Sequence, residues 1–190
     1  MIIHISGPIR SGKTTLGLKI LNELKNKIIL YDLDNLLSNY IKINKLKHLK
    51  GEEYIRIDYN KYKKYIDSII LNKKKPIILV GINAIMNANY ELTCYNIQAD
   101  YKYFINIDNN IITKQRCQRF LEKAYYNTNS MTLNNKAFVQ GIKNKVDINC
   151  NSREILNDKK SITKFYNKLK YKIMKPDMIY KRIINDIKKN

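Results

Sequence analysis

The chain has 190 residues, 44% hydrophobic and 27% charged, a length that suits one globular domain with a full core and makes neither a two-domain enzyme nor a disulfide-stapled miniprotein necessary. With 36 Lys and Arg against 16 Asp and Glu the formal net charge is +20, which invites a polyanionic partner. The same chain holds 30 Lys, 25 Asn and 32 Ile but only 6 Arg, the bias of an AT-rich coding sequence, so much of that charge reads as solvated surface.

Ile2 to Ser6 is β-branched and apolar and predicts a short buried strand, which Gly7-Pro8 breaks. Leu16, Ile20, Leu21 and Leu24 then recur at helical spacing. A second strand is expected over Lys27 to Tyr31, with Asp32-Leu33-Asp34-Asn35 at its carboxyl end, where a helix N-cap is also favoured. Glu52 to Asn72 reads as helix and is halted by Pro76, and Ile77-Ile78-Leu79-Val80 is an apolar run of the kind a parallel sheet buries on both faces. Tyr101 to Ile107 predicts a fourth strand and Ile111 to Tyr126 a basic helix, followed by a polar loop over 127–135 and helices near 136–146, 152–171 and 177–188. Strands alternating with helices predict a three-layer α/β/α domain over residues 1–190 with a central parallel sheet of about five strands.

The remaining coarse features exclude more than they assert. Cys94, Cys117 and Cys150 are odd in number and form no C-x-x-C pair, so neither a disulfide framework nor a zinc site is expected and a reducing compartment, the cytoplasm, is the default. His4 and His48 cannot make a metal centre alone. Met1 to Ile5 lacks the cationic flank and long apolar run of a signal peptide. The longest apolar run, Ile77 to Ile82, is too short to cross a bilayer, and no membrane partner is expected.

Gly7-Pro8-Ile9-Arg10-Ser11-Gly12-Lys13-Thr14 matches G-x-x-x-x-G-K-[ST] between a strand and a helix, the context that this phosphate-binding loop requires. Its glycines let successive backbone N–H groups curl around phosphate oxygens, and the helix N-terminus adds its positive dipole. The motif assigns nucleotide contact to Gly7, Arg10, Ser11, Gly12, Lys13, Thr14 and Thr15, with Lys13 on the β/γ-phosphates and the Thr14 hydroxyl on Mg²⁺. Asn144-Lys145-Val146-Asp147 matches the guanine clamp of GTP-binding switches, but no D-x-x-G segment accompanies it and no apolar strand leads into it. The third strand ends Leu79-Val80-Gly81, without the acidic residue with which a motor ATPase activates water. Asp32-x-Asp34 after an apolar strand also matches a phosphatase nucleophile pattern, whose further acidic motifs are missing. A phosphate loop with an acidic pair after the second strand points instead to phosphoryl transfer onto a hydroxyl or phosphate acceptor, a chemistry of positioning and charge neutralisation.

In these residues the chain resembles the P-loop kinases of the nucleoside/nucleotide kinase superfamily, nearest the uridine kinase and phosphoribulokinase branch. The matching pieces are Gly7 to Thr15, Tyr31 to Asn35, Val80 to Asn87, and Ala99 to Asp108 leading into Arg116 and Arg119. The resemblance implies ATP as donor, Mg²⁺ as cofactor and a small-molecule acceptor. It places the catalytic aspartate, which orients or deprotonates the acceptor hydroxyl, at Asp34, and a hold on the Mg²⁺ shell at Asp32. Arg116 and Arg119 would be charge-neutralising arginines of a lid around 110–135. Val80 departs from the family, which commonly has an acidic residue there; either Asp32 substitutes for it or metal binding is weakened. The alternatives to a small-molecule kinase are a 5′-hydroxyl polynucleotide kinase, with nucleic acid the less favoured partner, and a non-catalytic nucleotide-binding protein. The first of these draws on a charge surplus of +7 over residues 36–75 and +10 over 126–190, whereas the candidate site lies in near-neutral stretches.

Overall fold

A computed structural model describes residues 1–8, 10–47, 55–71, 73–86, 92–94, 97–115, 117, 160 and 163–189. Five strands form one all-parallel sheet: β1 (Ile2–Ser6), β2 (Ile29–Asp32), β3 (Ile77–Val80), β6 (Tyr101–Ile105) and β7 (Lys172–Met174), in the order β2-β3-β1-β6-β7. Helices cover both faces, giving a three-layer P-loop NTPase fold. Between β3 and β6 a small antiparallel hairpin, β4 (Ala84–Met86) with β5 (Leu92–Cys94), stands apart from the sheet.

The two faces are separated by the period-2 alternation of the strands. Ile3, Ile5, Ile78, Val80, Tyr103 and Ile105 pack under α1 (Lys13–Leu24) and α4 (Pro176–Lys188), with Leu16, Ile20, Ile179 and Ile183 as their principal partners. Ile77 and Leu79 face the other way, onto α2 (Leu33–Ile43) and α3 (Tyr59–Ile70), where Leu33, Leu36, Tyr40, Tyr62 and Ile66 complete a second core. A third cluster of Phe104, Tyr166 and Tyr171 lies beneath a helical segment at 163–168. All four residues of β3 are buried, as its unbroken apolar run predicted.

Gly17 sits where α1 crosses the sheet most closely. A Cβ built there would lie 2.8 Å from Val80 Cγ1 and 3.0 Å from Leu30 Cδ1. Gly17→Ala is therefore expected to cost about 1–3 kcal/mol by overpacking, visible as a lower urea midpoint with an unchanged m-value.

On the central strand, His4 is fully buried between the second and third cores. Its Nε2 contacts Gly81 O at 3.2 Å; because a carbonyl only accepts, Nε2 carries the proton, and Nδ1 accepts from the Tyr171 hydroxyl. Desolvation lowers the His4 pKa from 6.5 to about 3, so the ring is neutral at physiological pH. The unfolded chain protonates this imidazole at its ordinary value while the folded chain does not. The stability His4 confers is therefore present above pH 6.5 and lost as pH falls toward 3. Thermal melts between pH 7.5 and 4.5 should show Tm dropping with acid, and His4→Gln should flatten the decline.

Several elements differ from their predicted extents. The helix read from Glu52 begins at Tyr59, where Asp58 caps it by accepting from Lys61 N at 3.0 Å. The helix read over 152–171 gives way after 168 to a turn and to β7, a strand the periodicity did not reveal. Cys117 is disulfide-bonded, contrary to the expectation drawn from cysteine spacing; which sulfurs approach is decided by the fold and not by sequence separation. Arg116, Arg119, most of the 110–135 segment and the Asn144–Asp147 tetrapeptide lie outside the described residues. Among the described residues no helix is long and apolar enough to cross a membrane.

Candidate active site

β1 and β3 are neighbours whose connections run in opposite directions along the sheet, from β1 across β3 to β2 and from β3 across β1 to β6. This makes their carboxyl ends a topological switch point, the place where open parallel sheets bind ligands. The phosphate loop fills that position. Arg10 and Gly12 have φ of 69° and 79°, and Gly12 is the N-cap of α1 without any side-chain cap. The first N–H groups of α1 are thus left for an incoming anion. A Cβ added to Gly12 would meet nothing within 4 Å, so open space lies ahead of the helix. The Ser11 hydroxyl, inside the loop, is buried without a hydrogen-bond partner among the described residues.

Lys13 begins α1 and turns back over the loop, donating to Gly7 O at 3.1 Å and Pro8 O at 2.8 Å. Desolvation lowers its pKa from 10.5 to about 8 against the opposing pull of Asp34 and Asp32. Next to it, Thr14 Oγ1 donates to Asp32 Oδ2 at 2.9 Å, while Asp32 Oδ1 accepts from Asp34 N at 2.9 Å. One carboxylate therefore does two jobs: it caps α2 and it joins β2 to the phosphate loop. Asp32 rather than Asp34 is the N-cap, with extended φ/ψ of −97°/124°, and this leaves Asp34 in the first helical turn with its carboxyl free of the cap. That carboxyl is raised above its ordinary pKa by desolvation first and by Asp32 second, with Lys13 opposing.

Val80 is the register partner of Asp32, so the two side chains point to the same face at the same level of adjacent strands. Val80 is fully buried against α1. The carboxylate that meets Thr14 comes from β2, the strand next to Val80.

The structure brings together Gly7, Arg10, Ser11, Gly12, Lys13, Thr14, Thr15, Asp32 and Asp34 at one end of the sheet; Arg116 and Arg119 are not described. It also adds residues that the sequence did not single out. Gly81, at φ 139°, lets the chain leaving β3 pass so close to α2 that a Cβ would lie 2.8 Å from Leu33 Cβ. Beyond it Asn83 is fully buried and accepts from the Tyr166 hydroxyl through Oδ1. With the Tyr171–His4–Gly81 contacts, the C-terminal third thereby pins the segment after β3 beside the phosphate loop. The only sequence signal for this was a lone histidine in an apolar strand.

In comparisons with known proteins, no family model and no curated protein sequence matches the chain. Solved structures similar to it include an uncharacterized protein from Eubacterium ventriosum ATCC 27560, at 16% identity, covering 100% of this chain and 99% of that chain with a TM-score of 0.48. A shikimate kinase from Aquifex aeolicus vf5 is similar at 19% identity, covering 100% of this chain and 98% of that chain with a TM-score of 0.44. Neither likeness reaches a TM-score of 0.5, and the fold is read from the sheet itself. The all-parallel five-strand sheet with its phosphate-binding loop at the start of α1 makes this a P-loop α/β fold.

Proposed function

We propose that this protein is an ATP- and Mg²⁺-dependent phosphotransferase whose acceptor is a nucleoside, a nucleotide or a similar small hydroxyl or phosphate compound. The observation that carries this reading is the hydrogen bond from Thr14 Oγ1 to Asp32 Oδ2 at 2.9 Å, with Asp34 two residues further on and Lys13 close enough to shift its pKa. Phosphate-binding and acceptor-activating groups then share one site. In a hydrolytic switch the second group would be a water-positioning residue; here it is a carboxylate at the mouth of an open site.

Thr14 Oγ1 and the Asp32 carboxylate are hard oxygen donors beside the phosphate loop and fit a Mg²⁺ ion, which takes one or two protein oxygens and completes its shell with water and substrate phosphates. Among the described residues no group of three or more His, Cys, Asp or Glu side chains could hold a metal, so the site does not resemble an all-protein cage. Bound there, Mg²⁺ would neutralise charge on the β- and γ-phosphates. The chain's own residues supply the rest. The backbone N–H groups of residues 10–14 cradle the phosphates, and Lys13 leaves the Gly7 and Pro8 carbonyls to bridge phosphate oxygens. Asp34 accepts the proton of the acceptor hydroxyl as its oxygen bonds to the γ-phosphorus and the bond to ADP breaks. The single domain would close over these groups with a lid around 110–135 carrying Arg116 and Arg119. The acceptor class follows the resemblance to uridine kinases and phosphoribulokinases.

Purified protein with ATP, Mg²⁺ and a panel of nucleosides and nucleoside monophosphates should release ADP in an acceptor-dependent way. If no acceptor does so, while Lys13→Ala binds ATP as the wild type does, the reading is wrong. A 5′-hydroxyl end of RNA or DNA is the second candidate acceptor, favoured by the +7 charge of residues 36–75. Transfer of labelled phosphate to a 5′-hydroxyl oligonucleotide separates the two.

A further inference from the structure

The strands begin at the pole of the sheet opposite Lys13, and there lies an open cleft of about 970 Å³. Its lining comes from five separate segments. Lys27 follows α1, Lys74 and Lys75 precede β3, the Met1 amino group begins β1, Asp100 and Tyr101 begin β6, and Lys188 ends α4. Five cationic groups thus face one carboxylate. Part of this charge is already matched: Lys188 Nζ meets Glu23 Oε1 at 2.8 Å, and the Met1 amino group lies 4.0 Å from Asp100, which also accepts from Ile2 N at 2.7 Å. Lys27, Lys74 and Lys75 are exposed and have no ion-pair partner among the described residues.

We propose that this cleft binds the phosphodiester backbone of a single-stranded nucleic acid. Three features select that ligand. First, the basic stretch 36–75 sends Lys74 and Lys75 to this one place, where Lys27 and, from the stretch 126–190, Lys188 join them. Second, the cleft runs across the starts of β2, β3, β1 and β6, which at the usual strand spacing is about 14 Å, long enough for several phosphates. Third, its cations are lysines, hydrated point charges that bind a backbone without demanding a fixed geometry, and the half-buried Tyr101 lines the cleft beside them, its partly exposed side chain a surface for a base. The carbonyl ends of α1 and α4 also lie at this pole and attract lysine. That explains Lys27 and Lys188 but not Lys74 and Lys75, which lie past the end of α3 in the turn before β3. The contact is far from Lys13, so it holds a strand irrespective of what the phosphate loop phosphorylates.

The test is binding of a fluorescent 12-nucleotide oligouridine, followed by anisotropy without ATP or Mg²⁺ at 50–300 mM salt. Changing Lys27, Lys74 and Lys75 together to Gln should weaken binding about tenfold or more at the lowest salt. It should also reduce the slope of log K against log salt by about 2, three contacts at roughly 0.7 each. Lys75→Gln alone should reduce that slope by about 0.7, which keeps the question answerable if the triple variant folds poorly. A charge-matched control, Lys64, Lys168 and Lys181 all to Gln, should leave the slope as in the wild type. The proposal fails if the cleft variants bind as the wild type does, or if the control loses as much, which would mean diffuse attraction to a basic surface. It also fails if the cleft triple loses affinity for inorganic tripolyphosphate but keeps that for oligouridine, which would make the cleft a small-polyanion site. None of these outcomes depends on phosphoryl transfer, so the kinase reading stands or falls separately.

Discussion

Replacing Lys13 with methionine is expected to raise the melting temperature while removing phosphoryl transfer. Holding the ammonium charged at neutral pH against a pKa of about 8, when the ordinary value is 10.5, costs the folded state about 3 kcal/mol. The two hydrogen bonds that Lys13 donates to Gly7 O and Pro8 O return roughly 1 kcal/mol each. The balance still favours the methionine, whose thioether chain fills the same space without a charge. For a domain of this size each kcal/mol moves Tm by about 2–4 °C, so a rise of a few degrees is expected, and calorimetry would read it. Transfer should fall by at least 10²–10³-fold, on the order of what a single lost electrostatic contact to the reacting group costs. The pH dependence carries a second signature. The unfolded chain keeps the Lys13 proton up to 10.5 and the folded chain only to about 8, so the wild type gains stability between these values and Lys13→Met does not. In the free enzyme kcat/KM should decline above about pH 8 as the ammonium is lost. A variant that melts below the wild type would show that the loop hydrogen bonds, not desolvation, dominate at this position.

Asp34→Asn should produce the second large effect: kcat lower by about 10²–10⁴-fold, with ATP affinity retained and Tm no lower than in the wild type. The carboxyl of Asp34 is raised above its ordinary pKa by desolvation and by Asp32, with Lys13 only partly compensating. An amide of the same shape removes a charge that the site tolerates poorly, and the backbone N–H of residue 34 still donates to Asp32 Oδ1. Asp32→Ala is the contrasting change. It deletes the acceptor for Thr14 and the cap of α2, and should cost about 1 kcal/mol through the lost cap alone. Single-turnover kinetics and melts of the two variants separate a group that acts on substrate from one that holds the site together. If Asp34→Asn keeps full kcat, or Asp32→Ala is the more stable of the pair, the roles assigned to them are wrong.

The parts of this site that can be read in the sequence are those whose chemistry is contiguous. The phosphate loop needs eight consecutive residues between a strand and a helix, and β3 needs four apolar residues in a row; both are legible in one dimension. The acidic pair is legible as a pair, but its division of labour is not. Asp32 and Asp34 are equally acceptable caps by residue type, and only the backbone conformation, extended at Asp32 and helical at Asp34, decides which carboxyl is occupied and which is left over. Val80 reads as a missing acid. Its register with Asp32 shows that a carboxylate from the neighbouring strand already stands at that level. β7 gives no signal because three residues between two helices are too few for any period to show, although this strand completes the sheet.

That the chain is an α/β domain with a phosphate-binding loop at the start of its first helix follows from residue order alone, because hydrophobic period and loop motif are local properties. Which distant groups meet is a property of the folded sheet. The order β2-β3-β1-β6-β7 places segments tens of residues apart a strand's width from one another. It sets Asp32 against Thr14 and buries His4 between Gly81 and Tyr171. It also gathers Lys27, Lys74, Lys75 and Lys188 into one cleft. Which surplus charges become a site and which remain solvated surface depends on that order, which no count along the chain contains.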